Sequence, residues 1–164
     1  IAEYLSKAEM LCFSSMTPFA ELTIKIVKSI REFNQNIYIG HVGDTRAYLI
    51  RDDNISQLTE DHTLVADQIR QGLISRDQAE SFNRNVITQA LGLDKPIIPY
   101  TNYYEISVGD YILICSDGLH GFLDDIQIAD VIRNPNHDDI AKSLIEAALK
   151  SGSNDNISVV LVSF

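Results

Sequence analysis

The sequence is short of cysteines, of basic residues and of long apolar runs, and each shortage excludes a class of protein. Its two cysteines, Cys12 and Cys115, are too few for a disulfide framework. Cys115 stands inside the apolar run Tyr111-Ile112-Leu113-Ile114-Cys115, the setting of a small buried thiol. A reducing, cytoplasmic setting is therefore expected. Lysine and arginine number 13 against 23 aspartates and glutamates, for a formal charge of −10. A phosphate-backbone binder needs a basic face, so nucleic acid is not an expected partner. An acidic excess keeps a protein in solution, and it also suits one that gathers divalent cations. No apolar run approaches the roughly 20 residues that span a bilayer. No basic segment followed by an apolar stretch opens the chain, so no membrane is expected either. Its first residue is Ile1 rather than methionine, and a longer polypeptide is expected.

What is present reads as a globular protein. The 164 residues are 45% apolar and 22% charged, with modest proline and glycine, which suits one domain over residues 1–164 with its own core. Residues 1–10 have a helical pattern, and residues 23–28 alternate as a strand. Strands are predicted over 37–42 and 47–50, separated by Gly43-Asp44 and followed by a turn at 52–54; together they suggest an antiparallel meander. Leu64, Val65, Ile69 and Leu73 have helical spacing, with Gly72 closing the helix and a second helix over 76–82. Residues 85–91 read as strand or extended chain, and 103–106 as a strand before a turn at 108–110. The run 111–115 is apolar on both faces and belongs in the middle of a sheet. Asp124 with Gln127 three residues on is a capping signal, and Asn134-Pro135 ends the helix it starts. Asn136 is the expected cap of the next helix, whose stripe is Ile140, Ala141, Leu144, Ile145, Ala148 and Leu149, with Gly152 at its end. A nearly continuous apolar strand covers 157–162. Segregated strand and helix runs predict an α+β fold, an antiparallel β-sandwich flanked by α-helices.

Three aspartates share a setting. Asp44 follows one predicted strand, Asp117 follows another, and Asp155 precedes the last, each beside Gly or Asn at the end of a strand read as central. Strand ends can converge at one rim, where crowded carboxylates suit the hard cations Mg²⁺ and Mn²⁺. Two such ions could hold a water and aim it at phosphorus. Asp beside Gly also serves ordinary turns, and spacing alone leaves both readings open.

The words around these aspartates carry a resemblance. Val42-Gly43-Asp44-Thr45-Arg46, Leu58-Thr59-Glu60-Asp61-His62-Thr63, Arg84 to Gly92 (RNVITQALG), Gly109 to Leu119 (GDYILICSDGL) and Ser153 to Val160 (SNDNISVV) resemble, in order and separation, segments of bacterial type 2C metal-dependent protein serine/threonine phosphatases. The resemblance covers the C-terminal two-thirds of that domain. It implies two antiparallel sheets between helix pairs, with Mg²⁺ or Mn²⁺ at one end. It implies that Asp117 and Asp155 hold a core metal, that Asp44 and Asp117 share a looser third one, and that residues 63–84 stand in the place of a mobile flap. Phosphoprotein substrates and an opposing serine/threonine kinase are the implied partners. The family's first acidic segment, its DGMGG segment and an early basic residue have no match here. The expectation is weak metal binding and little activity for this chain alone, with unpaired strand edges.

The remaining candidates have plainer readings. His62 beside Asp61 has no nucleophile with it and reads as a structural histidine at a turn. His41 reads as packing, Arg46 as half of a surface ion pair, and His120 stands near the predicted site. No zinc spacing links the four histidines and two cysteines. Two functions compete: a metal-dependent phosphatase, and a catalytically inactive phosphatase-like module that binds or regulates a partner.

Overall fold

A computed structural model of the chain describes residues 11–12, 36–52, 54–79, 86–92, 96–136 and 138–164. The helix expected over 1–10 and the strand expected over 23–28 lie outside them. Two sheets form. The first has β2 (Asn36–His41) between β1 (Leu11–Cys12) and β5 (Tyr100–Glu105). The second runs in the order β4 (Asn54–Gln57), β3 (Arg46–Arg51), β6 (Tyr111–Cys115), β7 (Val159–Ser163). All pairings between these strands are antiparallel except β1 with β2, which is parallel. No helix among the described residues is long and apolar enough to cross a membrane.

The expected meander is corrected at one point. β2 and β3 are neighbours in sequence but not in a sheet: β2 pairs with β5, and β3 with β4 and β6. The chain changes sheets at Val42–Thr45, where Gly43 has φ +109°, a conformation that glycine adopts at no steric cost. The cause lies in the burial of β3. Ala47 and Leu49 face the first sheet, while Tyr48 and Ile50 face the opposite way. A strand apolar on both faces needs cover on both, which a two-stranded hairpin with β2 does not supply.

Alternation in β6 sorts its side chains the same way. Ile112 and Ile114 pack between the sheets with Ile37, Ile39, Ala47 and Leu58. Leu113 and Cys115 pack against the helices. Those helices are α4 (Asp125–Arg133) and α5 (Ile140–Lys150), which contribute Ile128, Ile132, Leu144 and Ala148 to that core. The layers are therefore sheet, sheet and helices, the α+β sandwich that was expected.

Helix starts follow local chemistry. Asp124 accepts from the Gln127 N–H, and the Gln127 side chain accepts from the Asp124 N–H, a complete capping box. Asn136 does not cap α5; Asp139, immediately before Ile140, does so by accepting from the Lys142 N–H. Its apolar stripe is narrower than expected, since Leu149 is 54% exposed. Thr63 caps α1 (Leu64–Arg70), and α2 (Arg76–Ala79) is one turn long. Ile87 bridges to Thr63, so the segment after the second helix is extended there.

Candidate functional site

Register decides where the three aspartates emerge. Arg46 pairs with Cys115, and Cys115 with Val159. The turn before Arg46 carries Asp44, the turn after Cys115 carries Asp117, and the loop before Val159 carries Asp155. All three therefore leave the second sheet at the same end. β7 lies at the edge of the described sheet rather than at its centre, a correction to the setting read for Asp155. β6 is internal, because it bonds to β3 on one side and β7 on the other.

At this rim Asp117 opens α3 (Asp117–His120), a single turn whose cap residue is Ser116. Asp44 is half-buried, and burial followed by the charge of Asp117 raises its pKa above the ordinary carboxylate value. The structure thus brings Asp44 and Asp117 within electrostatic reach of each other. The Asp155 carboxylate accepts from the Asn156 N–H at 2.7 Å. Among the described residues no group of three or more His, Cys, Asp or Glu side chains stands together as a metal cage.

The cation that acts on Asp44 is committed elsewhere. Arg46 donates to both Asp61 oxygens, with contacts of 3.0, 3.1 and 2.7 Å, and to the Tyr48 hydroxyl at 3.1 Å. This ion pair is part-buried, its side chains 23% and 13% exposed, rather than the surface pair expected. His62 is structural, as read. Its backbone N–H donates to the Gly43 carbonyl at 2.8 Å, and its Nδ1 accepts from the Gly43 N–H at 3.1 Å. Its ring stacks on that of His41 with centroids 5.3 Å apart. Burial, then Arg70, lowers the His62 pKa, which favours the neutral ring that can accept.

Relatives match this arrangement in sequence and in space. The family model described as Protein phosphatase 2C matches residues 24–89. Protein phosphatase PhpP of Streptococcus pneumoniae is 37% identical over 132 residues, covering 79% of this chain and 53% of that protein. The Streptococcus agalactiae serine/threonine phosphatase structure superposes with a TM-score of 0.74 at 35% identity, over 78% of this chain and 54% of that one. The chain resembles the protein phosphatase 2C family in sequence and in fold. It spans about half the length of the relatives it matches. A further structure, the catalytic domain of serine/threonine protein phosphatase PstP in complex with 2 manganese ions, superposes with a TM-score of 0.67 at 34% identity, over 78% of this chain and 53% of that one.

The rim is shaped by contacts that the sequence did not announce, including the partner of His120, a residue already placed near the site. His120 Nε2 donates to the Asp44 carbonyl at 2.9 Å, tying the Asp117 turn to the Asp44 turn. Ser116 Oγ donates to the Asn156 carbonyl and accepts from the Ser158 N–H, both at 3.0 Å. Buried Ser153 donates to the Gly118 carbonyl at 2.8 Å. Gly118 itself is required by this clasp, since a Cβ there would lie 2.4 Å from the Asn156 carbonyl oxygen. The partners are 35 to 76 residues apart along the chain, and no local pattern announces such contacts. The signal available was the two segments GDYILICSDGL and SNDNISVV, which hold Ser116, Gly118 and Ser153 without showing that they touch.

Proposed function

We propose that this chain forms part of a protein serine/threonine phosphatase that hydrolyses phosphoserine and phosphothreonine esters by water attack at a Mg²⁺ or Mn²⁺ centre. Asp44, Asp117 and Asp155 would hold the cation. What carries this reading is the pairing of Asp44 with Asp117: two carboxylates held together so that Asp44 gives up its proton less readily, while Arg46 is held by Asp61. Hard oxygen donors that repel one another suit a hard divalent cation. When bound, such a cation offsets the repulsion and lowers the pKa of a coordinated water. The remaining work falls to the chain. The Gly43-Asp44 turn and the Asp117 helix start aim the carboxylates, and the clasp through Ser116 and Ser153 holds the Asp155 loop against the same turn. The manganese ions of the related PstP structure support the choice of metal. Phosphoprotein substrates, an opposing kinase, a cytoplasmic setting and a single phosphatase-like domain belong to the same reading.

Manganese titration by calorimetry tests it, on the chain and on Asp117→Ala and Asp155→Ala. Loss of at least about tenfold in affinity, roughly 1.4 kcal/mol, is expected in each variant. Unchanged binding in Asp155→Ala would remove Asp155 from the ligand set. A parent that binds no manganese would overturn the metal reading for this chain and favour a phosphatase-like module that binds a partner.

A further inference from the structure

Asp44 is held through backbone atoms, its own carbonyl and both polar groups of Gly43. Three hydrogen bonds converge on the Gly43-Asp44 dipeptide. His62 N–H donates to the Gly43 carbonyl at 2.8 Å, Gly43 N–H donates to His62 Nδ1 at 3.1 Å, and His120 Nε2–H donates to the Asp44 carbonyl at 2.9 Å. The two imidazoles come from separate segments, His62 from a loop and His120 from a one-turn helix. His62 is 4% exposed, and its own carbonyl accepts from the Thr88 N–H at 2.8 Å, so it is fixed from behind. His120 ends the one-turn helix that Asp117 begins. It therefore joins the two turns that carry the two mutually interacting carboxylates.

We propose that His62 and His120 are positioning residues that set Asp44 against Asp117, His62 by gripping both polar groups of Gly43 and His120 by bridging the two turns. As to metal, this rests on the reading of Asp44 as a ligand; as to geometry, it does not. Neither imidazole needs to touch substrate. Each works through one ring nitrogen in one role. His62 must accept at Nδ1, because the Gly43 N–H can only donate. His120 must donate from Nε2, because the Asp44 carbonyl can only accept. These opposite demands make the two histidines separable by substitution. An Asn at 62 can present an amide oxygen where Nδ1 stood, and a Gln at 120 can present an amide N–H where Nε2–H stood.

The test uses nitrogen NMR and amide exchange on the full chain. His62→Leu should speed exchange of the Gly43 amide roughly five- to tenfold, the worth of one net hydrogen bond. His62→Asn should leave it near the parent rate, and the β6 amides should be unmoved in both. Should His62→Leu fail to fold, His62→Gln takes its place, since its amide oxygen sits one bond too far out. In the parent, His120 should show the Nε2-protonated tautomer. Manganese titration adds a second readout: His62→Leu and His120→Leu should bind roughly five- to tenfold more weakly, with recovery in His62→Asn and His120→Gln. Unchanged Gly43 exchange in His62→Leu, equal loss in His62→Leu and His62→Asn, or a His120 protonated at Nδ1 alone would overturn the proposal. Asp44→Asn is the control. If it binds manganese as the parent does, the metal role of Asp44 falls, and the exchange and tautomer data alone decide the histidines.

Discussion

The two ends of the four-stranded sheet each carry an aspartate beside a glycine, and the protein treats them in opposite ways. At one end Asp110, 2% exposed, accepts from Arg51 at 2.8 and 2.6 Å and from the Ser107 N–H at 2.7 Å. These bonds, the arginine's first, hold its pKa below the ordinary carboxylate value. At the other end Asp44 lies beside Asp117, with its pKa raised, and Arg46 is bound to Asp61. The first carboxylate is satisfied within the chain and serves stability. The second is left with an unmet demand for positive charge. The same sequence word, Asp with Gly, thus serves structure at one rim and is available for chemistry at the other. Only the partners distinguish them.

The largest expected effect breaks the second rim mechanically. Gly118→Ala forces a Cβ against the Asn156 carbonyl, and displacing that loop should cost about 2–3 kcal/mol in urea unfolding. A cost below about 0.5 kcal/mol would mean that the clasp yields freely. The next effect breaks the first rim. Asp110→Asn should lose about 1–2 kcal/mol at neutral pH, because a buried acceptor of charged bonds is gone. Its pH dependence has a definite sign. The folded pKa of Asp110 lies below the unfolded one, so its contribution is complete above the usual carboxylate range and fades as the pH falls through that range toward the lowered value. The asparagine variant should therefore show a flatter acid limb in unfolding free energy against pH. The smallest effect sharpens the contrast. With divalent metal chelated, Asp44→Asn should be neutral or stabilising by about 0.5 kcal/mol, since it removes a repulsion. A clear loss of stability there would place Asp44 in the same structural class as Asp110.

Much of this was legible in the sequence because it is local. The apolar run 111–115 is covered on both faces, and Asp124 with Gln127 forms the capping box that their spacing suggests. The aspartates could be picked out by the words around them, and register then sends them to one rim. What the reading missed depends on distant partners. The sheet change at Gly43 follows from β3 needing cover on both faces, while the short connection to β2 looks like a hairpin. Asn136 and Asp139 are both good caps, and the first turn of the helix chose between them. Arg46 could face a site carboxylate or another one, and Asp61 took it from the next segment of chain. Ser116 and Ser153 act on backbone atoms, as does His120, whose place near the site was read but whose partner was not; such contacts leave no trace in the side-chain sequence.

The clasp between the Asp117 turn and residues 153–158 also has a consequence for synthesis. Ser116 and Gly118 wait for partners that the ribosome adds about 40 residues later. At about 5–20 residues per second, that interval lasts about 2–8 seconds. During it the turn that carries Asp117 has its own backbone bonds and the His120 tie to Asp44, but not the contacts from residues 153–158. The acidic rim thus takes its final form only once the loop before β7 has been added to the chain.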